Sequence, residues 1–98
     1  MIDIPDWVDH DLAAANGITP QWIDVLRYMA IGHTNAQIGA ALHLPEDTVK
    51  SRITVMLRHM QARHRAEAVA LAYDWGILRN AAMRAELHTW RTRLGVAS

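Results

Sequence analysis

Between Thr34 and Met60 two helix-forming segments stand only three residues apart, and this limits the fold more than any other feature of the chain. Thr34-x-x-Gln37 has capping-box spacing, in which each side chain accepts from the other residue's backbone N–H. A short helix is therefore predicted to open there and run to about Leu42. His43-Leu44-Pro45 leaves room only for a tight connection. Glu46 and Asp47 then place acid where a helix N-terminus carries partial positive charge, which predicts a helix over about 46–60. At about 100° per residue, Val49, Ile53, Met56, Leu57 and Met60 of that helix fall within an arc of about 100°. Lys50, Ser51, Thr54 and Arg58 fill an adjacent arc of the same width, joined by Asp47 on the first turn. Thr48, Arg52, Val55 and His59 lie beyond it. One face packs, and the next offers cations and hydroxyls.

The flanking sequence is also helical in period, and no stretch alternates long enough to predict a sheet. Asp6 is expected to cap a short helix from Trp7 to about Ala15, ended by Asn16-Gly17 through a left-handed cap. Thr19-Pro20 is a strong start signal, Thr as N-cap and Pro in the first helical position. That helix runs to about Ile31, with Ile23, Leu26 and Ala30 inward and Gly32 as the stop. After an irregular stretch at 62–64, a helix is expected from Arg65 to Trp75, stopping at Gly76. A last one, from about Asn80 to Leu94, carries Met83, Leu87, Trp90 and Leu94 as its apolar stripe. The fold class is all-α. Residues 1–17 form an acidic N-terminal helical extension, 18–78 the central domain and 79–98 a C-terminal helical extension.

Composition excludes several functions. The 98 residues allow one domain, burying about 60–70% of the surface the unfolded chain exposes. There is no cysteine, hence no disulfide, zinc-thiolate site or thiol nucleophile. Six histidines include no i,i+4 pair, His59 and His64 being five apart, so no metal site is expected. With Ser51 and Ser98 the only serines and no Gly-rich phosphate loop, an enzyme is not expected, nor a cofactor. The longest apolar run, 68–73, is far too short to span a membrane, and residues 1–6 lack the features of a signal peptide. The expectation is a cytoplasmic protein. Ten Lys+Arg balance ten Asp+Glu. That zero is a sum of unlike parts: Asp3, Asp6, Asp9 and Asp11 stand alone in the first 17 residues, and the remainder is net basic. Over residues 46–65 five basic side chains face two acidic ones.

A short helix, a tight turn and a second helix with a basic outer face have the layout of a helix-turn-helix, whose second helix enters the DNA major groove. A plain helical bundle explains the spacing equally well. The residues go further. Ile18-Thr19-Pro20, Asp24-Val25-Leu26, Gly32-His33-Thr34-Asn35-x-x-Ile38-Gly39-x-x-Leu42 and Asp47-Thr48-Val49-Lys50-Ser51-Arg52-Ile53 resemble the LuxR-type DNA-binding domain of bacterial regulators. The resemblance continues through Met56-Leu57-Arg58-His59-Met60, Arg65-Ala66-Glu67-Ala68-Val69-Ala70 and Trp75-Gly76-Ile77-Leu78. It covers about residues 18–78 without a gap. It implies a four-helix domain whose third helix reads the major groove and whose fourth supplies a dimer contact. Sigma-factor region 4 shares the first part but not the Glu67-Ala68-Val69 helix, and ranks second.

Three positions depart from the family pattern. Trp22 stands where the family usually has Glu, Ala36 where Lys is common, and Pro45 where Ser would cap the next helix. By family position Lys50, Ser51 and Thr54 match groove-facing sites, which the helical wheel supports independently. Lys50 suits guanine or a phosphate, and Ser51 and Thr54 read bases only at close approach. Asp47 either accepts from cytosine or serves the helix N-terminus. Arg52, Arg58 and His59 are candidate phosphate contacts, which position without specifying. Asn35 and Thr48 are further candidates, with capping as the alternative. Ala68, Leu71, Ala72, Trp75, Leu87 and Trp90 are the candidate dimer interface, against the alternative that the terminal helices dock on their own core.

The reading is a sequence-specific, homodimeric regulator of transcription that binds double-stranded DNA, with RNA polymerase or a sensor protein as a further candidate partner. Its rival is a protein-interaction adaptor of helix-turn-helix or sigma-region-4 type, favoured by the changes at Trp22, Ala36 and Pro45.

Overall fold

Two threonine caps organise the first half of the chain in the structure, a computed structural model that describes residues 7–79. Thr19 Oγ1 accepts from the Trp22 N–H at 3.2 Å and opens α2 (Pro20–Ala30), with Pro20 at a position whose N–H has no helical partner. Thr34 and Gln37 form the reciprocal capping box of α3 (Asn35–Leu42), at 2.8 and 3.2 Å. A helix of 15 residues, α4 (Glu46–Met60), follows, and α5 (Arg65–Asp74) completes the helical core. Pro45 precedes α4 without any side-chain cap, as the missing serine predicts. Glu46 and Asp47 in its first turn and Arg58 and His59 in its last complement the helix dipole instead.

The N-terminus differs from expectation. The first helix is α1 (His10–Ala15), one turn shorter than predicted, and its cap is Asp9 rather than Asp6. Asp9 Oδ1 accepts from the Leu12 N–H at 2.8 Å. Ahead of it Trp7–Val8 forms a strand, β1, paired antiparallel with β2 (Leu78–Arg79) in the register Trp7↔Arg79 and Val8↔Leu78. The Asp9 N–H extends this pairing to the Ile77 carbonyl at 2.9 Å. Both two-residue strands are too short to show alternation, and each finds its partner some 70 positions away. The fold remains all-α apart from this pair. The helix expected over 80–94 lies outside the described residues, as do Asp3 and Asp6.

One core joins all these elements. Val25, Leu26, Ile38, Val49, Met56, Ala68, Ala72, Ile77 and Leu78 have no exposed surface, and Ala13 of α1 joins them. Helix α4 contributes Val49, Ile53, Met56 and Met60, four of the five residues of its predicted apolar arc, while Leu57 is half-buried at the edge. The α3–α4 angle depends on Gly39. A Cβ there would stand 2.5 Å from the Leu44 carbonyl oxygen, so only glycine lets the turn fold back this closely. The same turn is closed by the Leu44 N–H donating to the Gly39 carbonyl at 2.8 Å. No helix among the described residues is long and apolar enough to cross a membrane.

Candidate nucleic-acid interface

Burying Val49, Ile53 and Met56 turns the opposite side of α4 outward. Lys50, Ser51, Thr54 and Arg58 are all exposed there, on one continuous face. Among the described residues neither Lys50 nor Arg58 has an ion-pair or side-chain hydrogen-bond partner, so both charges face solvent uncompensated. Ser51 is equally open. Thr54 is less so in chemical terms: its hydroxyl donates to the Lys50 carbonyl one turn back at 3.0 Å, leaving its oxygen an acceptor only. Arg52 and Thr48 are half-buried beyond this face, both on the side of Val55, and Asp47 is exposed at its N-terminal end.

The two other candidates are engaged elsewhere. His59 is exposed, but its Nε2 lies 2.9 Å from the Asn16 carbonyl oxygen and its ring packs against Trp22 at 5.2 Å. This clasp ties the last turn of α4 to the α1–α2 link. Two sequence features meet in it. Trp22, where the family pattern has a charged residue, packs on His59, and Gly17 takes the left-handed φ of +73°, where a Cβ would stand 2.7 Å from the imidazole and displace the clasp. Asn35 is half-buried, and its Oδ1 accepts from Arg65 Nη1 at 2.7 Å. Arg65 Nη2 also donates to the His33 carbonyl at 2.7 Å. The planar guanidinium thus locks the N-terminus of α3 to the first residue of α5. Sequence reasoning quoted Arg65 within its Arg-x-Glu-Ala-Val motif but assigned it no role. A lone arginine at a helix start gives no sign of a partner 30 positions earlier.

Helix α5 presents a second surface. Ala68 and Ala72 have no exposed area, because they seat α5 on the core, so as interface candidates they are corrected: neither has surface to offer a second copy. Leu71 and Trp75 are half-exposed, while Leu87 and Trp90 lie outside the described residues. Ala66 and Val69 line a groove of about 500 Å³ between the start of α5 and the end of α2, floored by Met29, Ala30 and Ile31. At its start α5 is held by a second box. Glu67 Oε1 accepts from the Arg63 N–H at 3.0 Å, and Oε2 accepts from the Arg63 guanidinium at 3.0 Å. These bonds, the backbone one foremost, hold the Glu67 carboxyl below its ordinary pKa. The Glu67 N–H in turn donates to His64 Nδ1 at 3.2 Å. On the same helix, burial raises the Tyr73 phenol above its usual value. Among the described residues no group of three or more His, Cys, Asp or Glu is placed to hold a metal.

Comparison with known proteins covers this same region. The sequence model of the luxR family of bacterial regulatory proteins matches residues 16–72, more than half of the chain. The chain is 34% identical over 65 residues to a nitrate/nitrite response regulator protein homolog of Haemophilus influenzae, covering 66% of this chain and 31% of that protein. It is 36% identical over 52 residues to the transcriptional regulatory protein DegU of Brevibacillus brevis, covering 53% of this chain and 22% of that one. The chain therefore spans less than a third of the length of either relative. No solved structure matches it.

Proposed function

Because this chain belongs to the luxR family of bacterial regulatory proteins, we propose that it regulates transcription by binding double-stranded DNA, with α4 in the major groove. The observation that carries this reading is the outer face of α4, where Lys50, Ser51 and Arg58 stand exposed and the two cations have no internal partner. Lys50 and Ser51, in the first half of the helix, meet base edges. Arg58, near its end, meets the phosphate backbone. Thr54 contributes as an acceptor. Arg52 and Thr48 border the contact.

Asn35 acts indirectly in this reading. Held by Arg65, it fixes the start of α3, whose N-terminal N–H groups then face the backbone. His59 likewise positions α4 through Asn16 and Trp22. A homodimer places two copies of α4 on a palindromic site. Leu71 and Trp75, with Ala66 and Val69 at the edge of the groove, are the described part of that interface, and Leu87 and Trp90 are its further candidates. Both relatives are named as regulators, one of response to nitrate and nitrite and one of transcription, which supports the same assignment. Selection of bound duplexes from a random pool tests the proposal. Enrichment of one motif is the expected result. Failure to enrich any sequence contradicts it and favours the adaptor.

A further inference from the structure

Among the described residues Val55 is the one large apolar side chain left exposed, with 52% of its surface open, and it lies on α4. At 100° per residue it points about 130° away from the mean direction of the buried Val49, Ile53, Met56 and Met60, and about 50° from the centre line marked by Ser51 and Arg58. It therefore borders the outward face, on the side opposite Thr54 and Lys50. An exposed site in the middle of a helix is better served by Ala, Lys or Glu than by a β-branched residue, so helix preference does not select valine there.

Nor does its own helix surround it with an apolar patch. The residues three and four positions away are Ser51, Arg52, Arg58 and His59, all polar, so Val55 is an isolated apolar point in a polar field. Against duplex DNA an isolated apolar point has a defined complement. The major groove carries the C5 methyl of thymine, which distinguishes that base by apolar contact alone. Val55 also has no donor or acceptor that would go unpaired there, and its branched Cβ holds χ1 nearly fixed, so little freedom is lost on contact. Its side chain leans toward the N-terminal end of α4, over the turn that holds Ser51.

We propose that Val55 is a specificity-determining residue that reads a thymine methyl in the major groove, next to the base edges met by Ser51 and Lys50. The proposal rests on the DNA-binding reading above and adds to it a base preference that needs no hydrogen bond.

The test uses the 98-residue chain and the duplex that it enriches from a random pool. Each thymidine is replaced in turn by deoxyuridine, which removes the methyl and keeps the hydrogen-bonding edge. Binding is measured for the wild type and for Val55→Ala, a change at an exposed helical site that favours the helix. The wild type is expected to lose about fourfold in affinity at one thymidine per half-site, the equivalent of one buried methylene. Val55→Ala is expected to bind the two duplexes equally, with an unchanged dependence on salt. Duplex binding by a wild type insensitive to every replacement overturns this proposal alone, as does a variant that keeps the sensitivity. Binding to no duplex overturns the DNA-binding reading with it.

Discussion

Lys50 carries the smallest testable piece of this account. It stands exposed with no counter-charge, so a phosphate or guanine contact loses no internal interaction. Lys50→Ala is expected to weaken duplex binding and to lower the slope of log K against log salt by about one unit if the contact is to phosphate. An unchanged slope together with unchanged affinity removes Lys50 from the interface. Gly39 tests the turn instead. Gly39→Ala sets a Cβ 2.5 Å from the Leu44 carbonyl, so α3 and α4 must move apart. A loss of about 1–3 kcal/mol in chemical denaturation is expected, with DNA binding falling further than stability alone explains. Gln61, which ends α4 at φ +56°, has the opposite sign. Gln61→Gly relieves a left-handed conformation and is expected to stabilise the chain by about 0.5–1 kcal/mol.

Helices differ in how much of themselves they show in sequence. The boundaries of α2, α3 and α4 were legible because Thr19-Pro20, Thr34-x-x-Gln37 and Gly32 act within a few residues of themselves. The buried face of α4 was legible too, because its apolar and polar residues separate cleanly. Helix α5 was harder to read. Ala68, Val69, Ala70, Leu71 and Ala72 make it apolar on every side, so periodicity does not tell which alanines face the core. Sequence alone therefore leaves Ala68 and Ala72 free to face a second copy, whereas both are fully buried in the core. The β1–β2 pairing, the Asp9 cap and the Arg65 fork share another cause: each is decided by a partner far away in sequence or by tertiary fit. Helix α5 also has a pH signature. The Glu67 carboxyl sits below its ordinary value because it accepts from the Arg63 backbone and guanidinium. A carboxyl depressed on folding stabilises the native state above its unfolded pKa, and that contribution fades as pH falls through the folded value. Glu67→Gln is therefore expected to reduce the loss of stability on acidification below the ordinary carboxylate range, measured by thermal melts. Equal acid sensitivity in both proteins contradicts the Glu67 box.

The net charge of zero takes on a structural meaning for the molecule as a whole. The described part of the acidic segment, which carries Asp9 and Asp11, is held to the core, since Val8 and Leu12 pack against it and Ala13 is fully buried in it. Deleting residues 1–16 would remove these contacts with the charge, so neutralisation is the cleaner test. Replacing Asp3, Asp6 and Asp11 by Asn, and leaving the cap Asp9 in place, is expected to raise non-specific DNA affinity at low salt. Unchanged affinity makes the acids a solvated surface only. The proposed dimer belongs to this scale as well. Polar replacements at Leu71 and Trp75, or at Leu87 and Trp90, are expected to give monomers by light scattering, and a wild type that is monomeric at high concentration contradicts the dimer. The central claim is that the outer face of α4 binds duplex DNA. It is tested most directly by titrating the 98-residue chain with an enriched duplex at several salt concentrations. The account predicts binding that weakens steadily with salt, and less steeply for Lys50→Ala if its contact is to phosphate. The absence of any salt-dependent duplex binding contradicts it.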